Sequence, residues 1–149
     1  MNIFGSSILV TGASGGIGGA IARELASRGA NLILVNRDPA RLAEFAATLR
    51  KDGAQVTALA GDLALPGEPA RLIAAALAQA GAIDILINCA GVQTFGLSAD
   101  EAAHDTAQLF QVNTVAPIAL ANAVLPHMLQ RGSGQIVNLG SIFGSIGFP

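Results

Sequence analysis

Gly12, Gly16 and Gly18 come directly after the apolar run Ile8-Leu9-Val10, and Ile17, Ala20, Ile21 and Leu25 then recur at helical spacing. The order is a buried strand, a tight glycine turn and the start of a helix. The first turn of a helix carries unpaired N–H groups and the positive end of the helix dipole, so it attracts an anion. Glycine, lacking a Cβ, lets a diphosphate approach the backbone. Gly12, Ser14, Gly16, Ile17 and Gly18 are therefore the expected contacts for a nucleotide.

The glycine spacing differs from the common G-x-G-x-x-G order of dinucleotide-binding turns. Read as T-G-x-x-x-G-x-G from Thr11 to Gly18, it resembles the short-chain dehydrogenase/reductase family, and further matches follow along the chain. Dinucleotide enzymes often place an acid after the second strand to hold the ribose hydroxyls. Here that place holds Asn36, followed by Arg37. An amide does not repel a 2′-phosphate, and a guanidinium can pair with one, so NADP(H) is expected over NAD(H). Asp38 competes as a ribose acceptor or as a neutralising neighbour of Arg37, although its position also suits helix capping.

The resemblance implies further roles. Asp62 and Leu63, in the pattern G-D-L, would meet the adenine edge. Asn88-Cys89-Ala90-Gly91 resembles the family's N-N-A-G element, with Cys89 in place of its second Asn. Ala90 and Gly91 would leave room for the cofactor, and Asn88 would knit neighbouring strands. Asn113 matches an asparagine that holds a water linking the active-site lysine to solvent. Ser141 matches a serine that hydrogen-bonds the substrate oxygen and steadies its developing charge. Asn113 and Ser141 are thus the catalytic candidates, with Val92, Gln93 and Phe143 bordering the substrate pocket.

The family's proton donor is a tyrosine in a Tyr-x-x-x-Lys pair, whose lysine brings the phenol into working range. The chain has no tyrosine, and its single lysine, Lys51, lies at the end of the second helix. Counted from Ser141, the family tyrosine falls beyond Pro149. The 149 residues are therefore expected to be an incomplete dinucleotide-binding domain, lacking its C-terminal strands and inactive alone. Complete, the protein would transfer a hydride between NADP(H) and a carbonyl or secondary alcohol. The alternative is a non-catalytic nucleotide-binding module, or a fragment needing a partner chain.

Alternating apolar runs position these residues. Strands are expected at Ile8–Val10, Asn31–Asn36, Gln55–Ala60, Ile83–Asn88 and Gln135–Leu139. Helices are expected from the glycine turn to Arg28-Gly29, from Asp38-Pro39 to Gly53, over Pro66–Ala80 and over Asp105–Arg131. Ser98 and Glu101 have capping-box spacing for another helix start. Pro117 and Pro126 should bend or interrupt the long helix unless packing accommodates them. Its Leu109, Val112, Ala116 and Ala119 face either an interface or the sheet. Right-handed βαβ units imply an α/β fold, a Rossmann-like doubly wound parallel sheet in the order 3-2-1-4-5, with its ligand crevice beside strand 1.

Composition bounds the rest. Hydrophobic residues make up 52% and charged residues only 12%, as suits a parallel sheet covered on both faces. A net charge of −2 gives no electrostatic case for nucleic acid or an anionic membrane. No run of 18 apolar residues is present, so no bilayer span is expected. Cys89 is the only cysteine, which excludes an internal disulfide and suits a reducing cytoplasm. Without a neighbouring His or second Cys, it reads as a small buried filler. His104 and His127 are expected on helix surfaces, not spaced as metal ligands. The family resemblance implies a homodimer or tetramer.

Overall fold

The computed structural model describes residues 2–94, 96, 97, 99 and 102–141. Five parallel strands form one sheet in the order β3-β2-β1-β4-β5. They are β1 (Ser7–Thr11), β2 (Asn31–Asn36), β3 (Gln55–Ala60), β4 (Ile85–Asn88) and β5 (Gln135–Asn138). The helices are α1 (Gly16–Ser27), α2 (Pro39–Lys51), α3 (Glu68–Ala80), α4 (Ala103–Phe110) and α5 (Ala116–Arg131), with a π-helical turn at Gln111–Val115 joining the last two. Strand order and class match the expectation from sequence.

The strands are apolar at successive positions because both faces of the sheet are covered. Leu9, Ile33, Val35 and Leu86 point to one face, where Leu72, Ile73 and Ala76 of α3 meet Ala116, Leu120 and Val124 of α5. Ile8, Val10, Leu32 and Leu34 point to the other, against Ala22 and Leu25 of α1 and Leu42, Ala46 and Leu49 of α2. Burying each of the Val, Leu and Ile side chains among them stabilises by about 1.5–3 kcal/mol. Slipping a strand by one residue would exchange its two faces.

Local chemistry sets the element ends. Asp38 caps α2, its Oδ1 accepting the Ala40 and Arg41 N–H groups at 3.0 Å each, with Pro39 following. Gly29 follows α1 with φ +75°, a left-handed conformation that glycine adopts freely. The third helix starts at Glu68 rather than Pro66, because Gly67 at φ +78° turns the path just before it. Strand β4 starts at Ile85, paired with Ile8, rather than at the buried Ile83. Leu139 extends the β5 ladder by one hydrogen bond, 2.9 Å to the Asn88 carbonyl.

The long helix begins at Ala103 and continues to Arg131 through its π turn. A proline ring clashes with the carbonyl four residues earlier in an α-helix. For Pro117 that is the carbonyl of Asn113, inside the widened turn, so the π turn accommodates the proline without ending the helix. Pro126 sits inside α5, which also continues past it. Val112 and Ala116 face the core rather than an interface. The exposed apolar set is instead Phe110, Val115, Ile118, Leu125 and Leu129.

By length and composition alone, the stretch Ala103–Arg131 is long and apolar enough to cross a membrane. Within it, Ala116, Leu120, Val124 and Met128 are packed into the protein core. Ser98, Glu101 and Phe143 lie outside the described residues. His104 is exposed, 3.2 Å from Asp105 Oδ1. His127 departs from expectation, being half-buried, with its Nε2 hidden and without a hydrogen-bond partner among the described residues.

Candidate functional site

The parallel register brings the carboxyl ends of β1, β2 and β4 into line, with Thr11 opposite Val35 and Val10 opposite Ile87. Chain order reverses between β1 and β4, which opens a crevice there. The crevice holds a small cleft of about 140 Å³. It is lined by Gly12, Asn36, Arg37, Asp62, Leu63, Ala90 and Gly91, all expected contacts. Val35, Gly61, Val92 and Val112 complete the wall.

The three glycines do different work. A Cβ on Gly12, at φ +65°, would sit 2.8 Å from Ala90 Cα, so the turn and the end of β4 pack backbone to backbone. A Cβ on Gly18 would collide with the Gly12 carbonyl oxygen, so helix and turn also touch directly. Gly16 is the exception, for a Cβ there meets nothing within 4 Å. The N-cap is Gly15, with no side-chain cap and no acid in the first turn of α1. That helix end keeps its positive potential for a ligand. Ile17, beside Gly16, exposes 67% of its surface.

Thr11 also shapes the site, a role the sequence reading missed. Its buried Oγ1 accepts the Cys89 and Ala90 N–H groups at 3.0 Å each, pinning the exit of β4 to the start of the glycine turn. A hydroxyl directly before Gly12 was the available signal. Cys89 is half-buried, and burial pushes its thiol pKa up, so it stays unreactive at neutral pH.

At the end of β2, the Asn36 side chain reaches back to Ser14, Nδ2 donating to Oγ at 2.7 Å. Arg37 lines the cleft and forms no ion pair among the described residues. Asp38 is committed to its cap and is not paired with Arg37. Asp62 Oδ1 accepts the Ala64 N–H at 3.0 Å, fixing the turn after β3 while its residue still lines the cleft. Next to that turn, Arg71 donates to the Ala60 carbonyl at 2.9 Å and pairs with Glu68, holding the Glu68 carboxyl below its usual pKa.

Seven expected site residues lie outside the cleft wall: Ser14, Gly16, Ile17, Gly18, Asn88, Asn113 and Ser141. Asn88 is buried and absent from the cleft wall; its Nδ2 donates to Asn138 Oδ1 at 2.8 Å, knitting β4 to β5. Asn113 uses its carboxamide on one residue, accepting the Val92 N–H at 2.9 Å and donating to the Val92 carbonyl at 2.7 Å. That side chain sets the loop after β4. Ser141 is exposed just past β5, at the same end of the sheet as the glycine turn but outside the cleft wall.

The profile of the short chain dehydrogenase family matches residues 6–149. Ketoacyl reductase HetN of Nostoc sp. is 35% identical over 143 residues, covering 96% of this chain and 50% of that protein. A short chain dehydrogenase/reductase from Burkholderia phymatum in complex with NAD superposes with TM-score 0.95 at 33% identity, over 100% of this chain and 53% of its own. A short-chain dehydrogenase from Sphingobium yanoikuyae in complex with NADPH superposes at 0.86 with 42% identity, covering 94% and 55%. The chain spans about half the length of the curated relatives it matches. Its profile match, glycine turn and strand order make it a member of the short chain dehydrogenase family.

Proposed function

We propose that the chain is the dinucleotide-binding part of an oxidoreductase that moves a hydride between NADP(H) and a carbonyl or secondary alcohol. The observation that carries this reading is the cleft itself. An uncapped helix end opens beside Gly16, and an uncommitted Arg37 lines the wall after β2. The dinucleotide would supply or accept the hydride. Gly12, Gly16, Ile17 and Gly18 would take its diphosphate, Asn36 and Arg37 its ribose phosphate, and Asp62 and Leu63 its adenine. Ala90 and Gly91 would give the rest of the cofactor room against the backbone. Ser141 would donate a hydrogen bond to the substrate oxygen, while Asn113 holds the β4 exit loop in shape.

The proton donor in this reading lies outside these 149 residues, which contain no tyrosine. The exposed apolar face of Phe110, Val115, Ile118, Leu125 and Leu129 supports the homo-oligomer, and the single cysteine supports a cytoplasmic setting. A stable monomer in sedimentation would remove the first of these.

Titration by NADPH fluorescence tests the cofactor, since the chain has no tryptophan or tyrosine to interfere. NADPH is expected to bind more tightly than NADH, and Arg37→Ala to lower NADPH affinity about tenfold, with NADH unchanged. Equal or tighter NADH binding would remove the NADP(H) preference. No binding of either would remove the dinucleotide.

A further inference from the structure

The two ends of the Asn36 carboxamide are not interchangeable. Its Oδ1 accepts the Asp38 backbone N–H at 3.2 Å. A backbone amide can only donate, so the oxygen has to face it. The amide nitrogen is thereby turned toward the glycine turn, where it donates to Ser14 Oγ at 2.7 Å. The turn is also tied to β2 through the Ala13 N–H, 3.1 Å from the Val35 carbonyl. Ser14 is only 8% exposed, so its hydroxyl has few alternatives.

The direction of the Asn36–Ser14 bond decides what Ser14 can do. A hydroxyl has one proton to give, and here its oxygen is occupied as an acceptor. Among the described residues the chain takes no bond from that proton. Arg37, the next residue along, lines the cleft without an ion partner among the described residues.

We propose that Asn36 is a positioning residue for the 2′-phosphate. By donating to Ser14, it keeps the Ser14 proton available to a phosphate monoester beside Arg37. The proposal rests on the NADP(H) reading and adds to it a coupling between two side chains. An aspartate at this position would act twice. Its charge would repel the phosphate, and as an acceptor it would draw the Ser14 proton to itself and away from the ligand. The second effect requires Ser14, and the first does not.

A double-mutant cycle on the intact protein separates them, using NADP⁺ and NAD⁺, which differ only in that phosphate. The readout is the ratio of their dissociation constants, measured by calorimetry for wild type, Ser14→Ala, Asn36→Asp and the double variant. S14A is expected to lower the preference for NADP⁺ about tenfold, the usual size for a hydrogen bond to a charged group. N36D is expected to lower it further in wild type than in the S14A background, by at least about threefold. A merely structural role for the pair would weaken both nucleotides together.

Equal effects of N36D in the two backgrounds would reduce it to charge repulsion and overturn the proposal. An unchanged ratio in S14A overturns it even where N36D does not fold. If wild type holds NADP⁺ no better than NAD⁺, the cofactor reading falls and takes this with it. If wild type prefers NADP⁺ and R37A loses that preference while the cycle is additive, the coupling alone falls.

Discussion

The two ends of the sheet are built from the same strands and use their charged groups differently. At the amino end, Asp84 gathers β1, β4, β5 and α5 into one knot. Its carboxylate accepts the Ser7 N–H at 2.8 Å and pairs with Arg131 at 2.6 Å. Its own N–H donates to the Ser7 carbonyl at 2.8 Å, and its carbonyl accepts the Gln135 N–H at 3.0 Å. At the carboxyl end, the start of α1 has no side-chain cap, and Arg37 has no ion partner among the described residues. A protein closes polar groups internally where it needs only stability. The end left open is the end where the nucleotide is proposed to bind.

Gly18→Val should break this contrast most severely. Its side chain would be driven into the Gly12 carbonyl, which is backbone and has nowhere to go. Overpacking of this kind costs about 1–3 kcal/mol, more where the obstacle is rigid. The expected result is a fall in thermal midpoint together with loss of NADPH binding. A variant that keeps both would show the turn to be looser than its contacts indicate.

Much of this contrast was legible in the sequence, because it is carried by local patterns. The glycine turn, the Asp38-Pro39 cap and the fully apolar strands each announce themselves within a few residues. The strand order then follows from right-handed crossovers. What escaped was bonding between distant segments. Asp84 and Ser7 are 77 residues apart, and Asp84 and Arg131 are 47 apart. Nothing beside Asp84 marks it as a junction. The family resemblance singled out Asn88 and Asn113, but not their partners Asn138 and Val92. Nor does any local pattern distinguish a π turn before Pro117 from an ordinary helix.

Asp84→Asn tests the closed end. The amide retains an acceptor for the Ser7 N–H but loses the ion pair, so a loss of about 1–2 kcal/mol is expected in urea unfolding. Dinucleotide affinity should stay the same. Wild type should also show the acid dependence of this group. Burial opposes its charge, yet the Ser7 N–H and the Arg131 guanidinium, helped by His127, hold its pKa below the ordinary value of 3.8. A lowered folded pKa means the contribution is complete above that ordinary value and is lost as pH falls through the folded one. The acid limb of stability should therefore flatten in D84N. An unchanged limb would assign acid sensitivity to other carboxylates.

Gly16→Ala should have the smallest effect on the fold and the sharpest effect on the comparison. It sits two residues from Gly18, in the same turn, yet a Cβ there meets nothing within 4 Å. Alanine favours a helix over glycine by about 0.5–1 kcal/mol, so the thermal midpoint should hold or rise slightly. The space that the methyl would fill is the space proposed for the diphosphate, so NADPH affinity should nevertheless fall. Stability and binding would then move in opposite directions at one position, whereas at Gly18 they fall together. Unchanged affinity in G16A would place the diphosphate away from this face of the helix end and leave Gly16 with no role in the site.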